Sequence, residues 1–324
     1  MKAAVITAAG KWPIYADFME PVPSEGTEVI SVSASALSQF SKSRSSGSHY
    51  SSEGRFPSVA GADGVGRTPD GRRVYFVLPE APYGALAEKS LVRSKQCVDI
   101  PDSVSDITAA AIANPGMSAW AALIERAHLR TGETVLVNGA TGSAGRLAVQ
   151  LAKYFGAGKV IGTGRNESEL KELTSLGADA VIPFTLGTSH PVGAKQYERA
   201  LIAEFGHGID VVIDYLWGES AKIVIVGIAK AVEDARRVRF VHVGAASREE
   251  NIELPGAALR SSAIQLMGSG VKSVPFLTLL GAIKSVFDAI IPAKLRIQTE
   301  QAPLSAINET WHAPGKPRIV LTIP

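Results

Sequence analysis

A strand that runs without interruption into three evenly spaced glycines and then into a helix leaves few folds open to a chain. The segment Thr134–Gly156, TVLVNGATGSAGRLAVQLAKYFG, has this form: an apolar run Thr134–Asn138, then Gly139, Gly142 and Gly145, then an amphipathic helical stretch Ser143–Phe155. A tight strand-to-helix turn brings backbone N–H groups and the positive helix end toward an anion, and missing side chains let a pyrophosphate approach the main chain. The spacing is Gly-x-x-Gly-x-x-Gly rather than Gly-x-Gly-x-x-Gly, so the glycines alone could mark a purely structural turn. The strand before them, the helix after them and a second strand at Lys159–Thr163 supply the context of a dinucleotide turn. Gly139, Ala140, Thr141, Gly142, Ser143, Ala144 and Gly145 are the candidate pyrophosphate contacts.

The same alternation continues beyond the turn. Helical Glu167–Leu176, strand Ala180–Ile182, strand Ile209–Asp214, helical Glu219–Val232 and strands Arg239–Val243 and Ile264–Gly268 predict a doubly wound parallel sheet over residues 116–269. Residues 1–115 have another texture. Short β segments at Ala3–Thr7, Glu28–Ala34, Arg73–Val77 and Leu86–Val92 alternate with Gly and Pro clusters, as in an irregular barrel or sandwich, and the serine-dense Ser41–Ser52 reads as a surface loop. After Val274 a long helix, then Lys294–Thr299 and a last strand Arg318–Ile323, resemble the first half, so 270–324 is expected to complete the first domain. Two domains suit 324 residues, since single cores seldom grow past about 250.

Cofactor choice is read about 20 residues beyond the turn, where a carboxylate at the end of the second strand would bind the ribose 2′-hydroxyl of NAD. Here the sequence is Thr163–Gly164–Arg165–Asn166, with no acid, and a guanidinium pairs with the 2′-phosphate of NADPH instead. Glu167 reaching the ribose, with Arg165 in solvent, is the competing reading.

Composition excludes several other classes. With 33 Lys plus Arg against 31 Asp plus Glu, the net charge of +2 gives no field to attract a nucleic acid. Cys97 is the only cysteine, so neither an intrachain disulfide nor a multi-thiolate zinc site can form, and a reducing, cytoplasmic setting is expected. The N-terminus reads as a strand rather than a signal peptide, and Lys284 and Asp288 interrupt the apolar stretch Val274–Ala293, which is expected to pack in protein and not in a membrane. None of the seven tyrosines has a lysine four positions on, as a short-chain dehydrogenase requires, and no Gly-Lys is followed by Ser or Thr, as a P-loop requires.

GMSAW at Gly116–Trp120, SLGADAVI at Ser175–Ile182, AGADGVG at Ala60–Gly66, RRVYF at Arg72–Phe76 and YGALAEKSLV at Tyr83–Val92 extend the pattern around the glycine turn. So do GIDVVIDYLWGES at Gly208–Ser220, RFVHVGAAS at Arg239–Ser247, MGSG at Met267–Gly270 and PRIVLTIP at Pro317–Pro324. In this order they resemble the medium-chain dehydrogenase/reductase superfamily over essentially the whole chain, and its zinc-independent quinone oxidoreductase branch most closely. The resemblance implies an α/β protein with a GroES-like β-rich catalytic domain, closed by the C-terminal segment, and an inserted Rossmann domain joined to it by a cleft. It implies further cofactor contacts at Asn114 and Ser118, at Val243, Gly244 and Ala245, and at Gly268 and Ser269, and a homodimer paired through Ile264–Gly270.

Zinc-dependent relatives carry Gly-His-Glu where this chain has Gly61–Ala62–Asp63, and a cysteine ligand where it has Ser38 or Ser41, so the resemblance implies no metal. The six histidines show no i, i+3 or i, i+4 pairing that would suggest another metal, and most read as surface or capping residues. In the quinone oxidoreductases the substrate loop often begins Asn-Pro-x-Asp; here it reads Leu37–Ser38–Gln39–Phe40–Ser41, followed by Gly47–Ser48–His49–Tyr50. Ser38 and Tyr50 are the candidate catalytic groups, although Tyr50 could equally pack the domain edge. The expected activity is hydride transfer from NADPH to a quinone or an α,β-unsaturated carbonyl compound, with positioning as the main catalytic device. A non-catalytic NADPH-binding sensor on the same fold is the alternative.

Overall fold

The computed structural model describes residues 1–47, 54–187 and 189–324. Its first stretch holds β1 (Lys2–Ile6), β2 (Ile14–Asp17), β3 (Thr27–Ala36), α1 (Gln39–Ser45), β4 (Ser58–Val59), β5 (Asp63–Arg67), β6 (Arg73–Val77), β7 (Lys89–Arg93) and β8 (Cys97–Asp99). Then come α2 (Asp106–Trp120), β9 (Thr134–Asn138), α3 (Ser143–Tyr154), β10 (Lys159–Gly164), α4 (Glu167–Ser175), β11 (Ala180–Pro183), α5 (Pro191–Phe205), β12 (Val211–Asp214) and α6 (Gly218–Ala231). The chain closes with β13 (Arg237–His242), α7 (Gly256–Arg260), β14 (Ala263–Gly268), α8 (Phe276–Ala289), β15 (Thr299–Pro303), α9 (Ile307–Thr310) and β16 (Arg318–Thr322).

Two compact units emerge: Met1–Asn114 with Ile283–Ile290 and Ile297–Pro324, and Pro115–Ala282 with Ile291–Arg296. The return to the first unit therefore falls at Ile283 and not at residue 270. Ile291–Arg296 steps back to the second unit, where Gln150 holds it by a two-way bond: Arg296 N donates to Gln150 Oε1 (2.7 Å) and Gln150 Nε2 donates to the Arg296 carbonyl (3.0 Å). This bond has no sequence signal, because its partners lie 146 residues apart.

In the first unit, the strand order β15-β16-β3-β5-β6-β8, with β7 also on β3, makes a seven-stranded sheet, and β2-β1-β4 a smaller one. The ten-residue β3 is the hub, pairing with β5, β7 and β16, and its register with β5 shifts between Val32 and Ala34. Ile30, Phe76, Leu86 and Trp311 sit in one buried cluster beneath it. The serine-rich stretch is not all loop: α1 occupies Gln39–Ser45 and buries Ser41 completely. Ser38 caps this helix, its Oγ accepting the Ser41 N–H at 2.9 Å, which is the position serine favours over the helix interior.

The second unit is a six-stranded sheet in the order β11-β10-β9-β12-β13-β14, parallel throughout. Its central strands read as unbroken apolar runs, as strands buried on both faces do: Leu136, Ile161, Val212 and Phe240, cross-strand neighbours on one face, pack with Leu201, Phe205, Val224 and Ile228 of α5 and α6, and Val135, Val137, Val211 and Ile213, which alternate with them, are fully buried too. One helical run, Asp106–Arg126, is long and apolar enough to cross a membrane by length and composition, but 61% of its most apolar window is buried in the protein.

Candidate active site

The strand order reverses between β10 and β12 around β9, so the carboxyl end of β9 is the topological switch point where open α/β sheets bind ligands. The glycine turn sits there. Gly139 has φ +84°, and a Cβ on it would lie 2.8 Å from the Leu216 side chain; a Cβ on Gly145 would lie 2.4 Å from the Gly139 carbonyl oxygen. Both glycines are demanded by packing. Gly142 is different: its φ is −69° and the only atom within 4 Å of its missing Cβ is the Gly139 oxygen at 3.7 Å. The protein itself does not need a glycine there, and its open side is a cradle that a side chain would fill. Gly142 is also the N-cap of α3, with no side chain capping the helix, so the first N–H groups of a 12-residue helix remain available to an anion. Arg146 braces the turn from below, donating to the Thr141 carbonyl (3.1 Å) and pairing with Glu172 (2.8 Å).

A polar row, buried at Asn138 and Asp214 and half-buried at His242, supports this edge. Asn138, Asp214 and His242 end three adjacent strands in register. Asn138 Nδ2 donates to Asp214 Oδ1 (2.8 Å), and His242 Nδ1 lies 2.9 Å from Asp214 Oδ2. Asn138 Oδ1 accepts the hydroxyls of Thr163 (2.7 Å) and Tyr197 (3.1 Å), and burial pushes the Tyr197 phenol up. The backbone N–H groups of Leu216 and Trp217 donate to Asp214, holding Trp217 at φ +61°, with its ring 4.4 Å from that of His242. Sequence reasoning missed this row and gave His242 no role of its own. The pairing runs through tertiary register, across 28 to 76 residues of chain, and leaves no local pattern.

The remaining cofactor candidates divide by what already holds them. Thr163 is fully buried, its hydroxyl donating to Asn138 and accepting the Gly139 N–H (3.2 Å), so it positions the turn. Gly164 ends β10, and Arg165 follows it, exposed and without an ion pair among the described residues. Asn166 caps α4, its Oδ1 accepting from Ser168 N and Glu169 N, and Glu167 opens that helix on the surface. Asn114 and Ser118 lie half-buried on α2. Val243, Gly244 and Ala245 follow β13, the first two half-buried and Ala245 exposed. Gly268 ends β14, and the buried Ser269 donates its N–H to the His242 carbonyl (2.8 Å).

In the first unit, Ser38 is 8% exposed and its Oγ reaches Ser41 Oγ at 3.0 Å. Beneath them lies Asp63, fully buried, accepting the Tyr75 hydroxyl at 2.9 Å and the Ser41 hydroxyl at 3.4 Å. Burial pushes the Asp63 carboxyl up, against the opposing charge of Arg318 and the two hydroxyl bonds. Tyr50, with the rest of 48–53, lies outside the described residues. Among the described residues no three His, Cys, Asp or Glu side chains converge as a metal site would require.

Comparison with known proteins adds three findings. A family model described as zinc-binding dehydrogenase matches residues 144–273. A probable NADPH-dependent quinone reductase of Emericella nidulans is 28% identical over 281 residues, 77% of each chain, and a 2-methylene-furan-3-one reductase of Solanum lycopersicum is 32% identical over 182 residues, 51% of this chain and 46% of that enzyme. Among solved structures, a mycobacterial protein, Rv1454c, in complex with NADPH superposes with a TM-score of 0.81 at 21% identity, covering 100% of this chain and 99% of that one. At such identity the likeness is one of fold.

Proposed function

We propose that the chain is a member of the medium-chain dehydrogenase/reductase superfamily, in its quinone oxidoreductase branch, and that it reduces a quinone or an α,β-unsaturated carbonyl compound with NADPH and without zinc. The observation that carries this reading is the cradle at Gly142, open and uncapped at the switch point of the parallel sheet, where the fold has no need of a glycine. NADPH is the cofactor, and when bound it supplies the hydride and both electrons. The N–H groups at the start of α3 hold its pyrophosphate, and Arg165 holds its 2′-phosphate. Ser38 is assigned to the oxygen on which charge develops; its hydroxyl, which donates to Ser41 Oγ in the free protein, would turn to that oxygen. Tyr50 is assigned to the same acceptor on the family resemblance.

The zinc-free reading is supported by Ser38 and Ala62 standing where zinc-dependent relatives carry ligands, and by the lone Cys97. A homodimer through β14 belongs to the same proposal: this strand ends the sheet and exposes Leu266, and unpaired apolar edges favour association. So does a cytoplasmic location, for which the single cysteine is the support. The test is steady-state NADPH oxidation with panels of quinones, enals and enones. Turnover with at least one panel is expected; tight NADPH binding without turnover on any would contradict the proposal and leave a sensor role.

A further inference from the structure

Beside α1, and built from the first unit alone, lies a cavity of about 270 Å³. Three stretches of chain form it: the turn Gly10–Trp12 between β1 and β2, one face of α1, and Trp311 after α9. Gln39, Lys42, Ser43 and Ser46 recur at the i, i+3, i+4, i+7 spacing of a single helical face, while Ser41, on the opposite face, is fully buried. The Gly10 N–H donates to the Ser46 carbonyl at 3.4 Å, which fastens the turn to the end of the helix. The Ser43 and Ser46 hydroxyls donate to main-chain oxygens of α1, those of Phe40 (3.2 Å) and Ser43 (3.0 Å). Two indole rings and two ammonium groups then dominate the lining, and no Asp or Glu is among the described residues that form it.

Both rings are held in place. Trp311 is 4% exposed and belongs to the buried cluster beneath β3. Trp12 is 61% exposed, and the ring of His312 meets it edge-on with centroids 4.3 Å apart. Lys42 Nζ stands over the Trp311 ring, 5.7 Å from its centre, within cation–π range. Lys42 is half-buried, and desolvation holds its ammonium below the ordinary lysine value with no opposing carboxylate to raise it. A cation partly withdrawn from water and lacking an anionic partner is under-compensated, and a carboxylate arriving beside it is screened less than at the open surface. Size sets the second condition. An apolar cavity of about 150 Å³ takes up benzene, so one of 270 Å³ has room for a guest of about two fused rings.

We propose that this cavity binds a small planar aromatic carboxylate, its ring system against Trp12 and Trp311 and its carboxylate on Lys42. Indole rings of fixed position favour a flat guest, in offset or edge-on contact, over a flexible aliphatic chain. The ammonium group sets the sign of the charge, through a charge-assisted hydrogen bond. Lys11, exposed at the rim, adds attraction that salt weakens. The site shares no residue with the glycine turn and does not depend on the functional reading above.

The test is isothermal titration calorimetry on the full chain with 2-naphthoate, the neutral 2-naphthylmethanol and the aliphatic hexanoate. Wild type is compared with Lys42→Met and Trp12→Ala, and melting curves check that each variant is folded. In wild type, 2-naphthoate should bind once per chain with a Kd of about 10⁻⁴ M, and the other two probes about tenfold or more weakly. Lys42→Met should weaken 2-naphthoate about tenfold and leave 2-naphthylmethanol unchanged, so that the preference for the acid disappears. Trp12→Ala should weaken both aromatic probes alike. If Trp12→Ala lowers Tm, the comparison of acid with alcohol in Lys42→Met decides by itself. No binding of 2-naphthoate up to about 10 mM overturns the proposal. The alcohol binding as tightly as the acid overturns the anionic class of ligand, and hexanoate binding as tightly overturns the aromatic one. Binding of 2-naphthoate that neither substitution changes puts the ligand elsewhere on the protein and overturns the assignment of this cavity.

Discussion

Arg165 is exposed at the end of β10 and free of any ion pair among the described residues, as a group awaiting a ligand's charge would be. Only NADPH carries the 2′-phosphate, so a residue serving that group contributes discrimination rather than overall affinity. Replacing Arg165 by Ala should weaken NADPH binding roughly ten- to a hundredfold, the equivalent of about 1.5–3 kcal/mol of charge-assisted bonding, and leave NADH binding nearly unchanged. Fluorescence titration of both cofactors checks it, and equal losses would mean that Arg165 does not read the phosphate. The position of Arg165 just beyond β10 was legible in the sequence because its distance from the turn is set along one strand–helix–strand unit. The second roles of Ser38 and Thr163, as helix cap and turn brace, and the His242–Asp214–Asn138 row were not, because their partners are fixed by register between distant strands.

The glycine turn offers a contrast between two positions of one motif. A Cβ at residue 145 would meet main-chain atoms at 2.4 and 2.7 Å, which rigid backbone cannot yield cheaply, whereas one at residue 142 meets nothing closer than 3.7 Å. Gly145→Ala should therefore lower Tm. Gly142→Ala should leave Tm nearly unchanged while weakening NADPH and NADH alike, because both share the pyrophosphate. Melting curves and titrations on the two variants separate fold from ligand; cofactor affinity unaffected by Gly142→Ala would remove the cradle from the account. The motif itself was plain from sequence, since strand, turn and helix are contiguous. α1 was not, because serine is a middling helix former and a run of it reads as loop until Ser38 is seen to cap Gln39–Ser45.

At the scale of the whole molecule, alternating strands and helices made the parallel sheet legible, because βαβ units are local, but not its strand order, nor α5, which the sequence reading passed over between β11 and β12. The division of the chain was harder to read: the return at Ile283 and the excursion of Ile291–Arg296 depend on contacts such as Gln150 to Arg296 that close a loop of 146 residues. The exposed edge of β14 gives a further expectation, that light scattering finds a dimer at micromolar concentration, with a monomer counting against pairing through that strand. The central claim is that hydride passes from NADPH to a conjugated carbonyl compound with no zinc taking part. The most direct measurement follows deuterium from C4-deuterated NADPH into an enone product, using protein dialysed against a chelator and checked by elemental analysis. The account predicts deuterium on the β-carbon at a rate equal to that of untreated protein. Deuterium transfer that stops on chelation and returns with added zinc would contradict it.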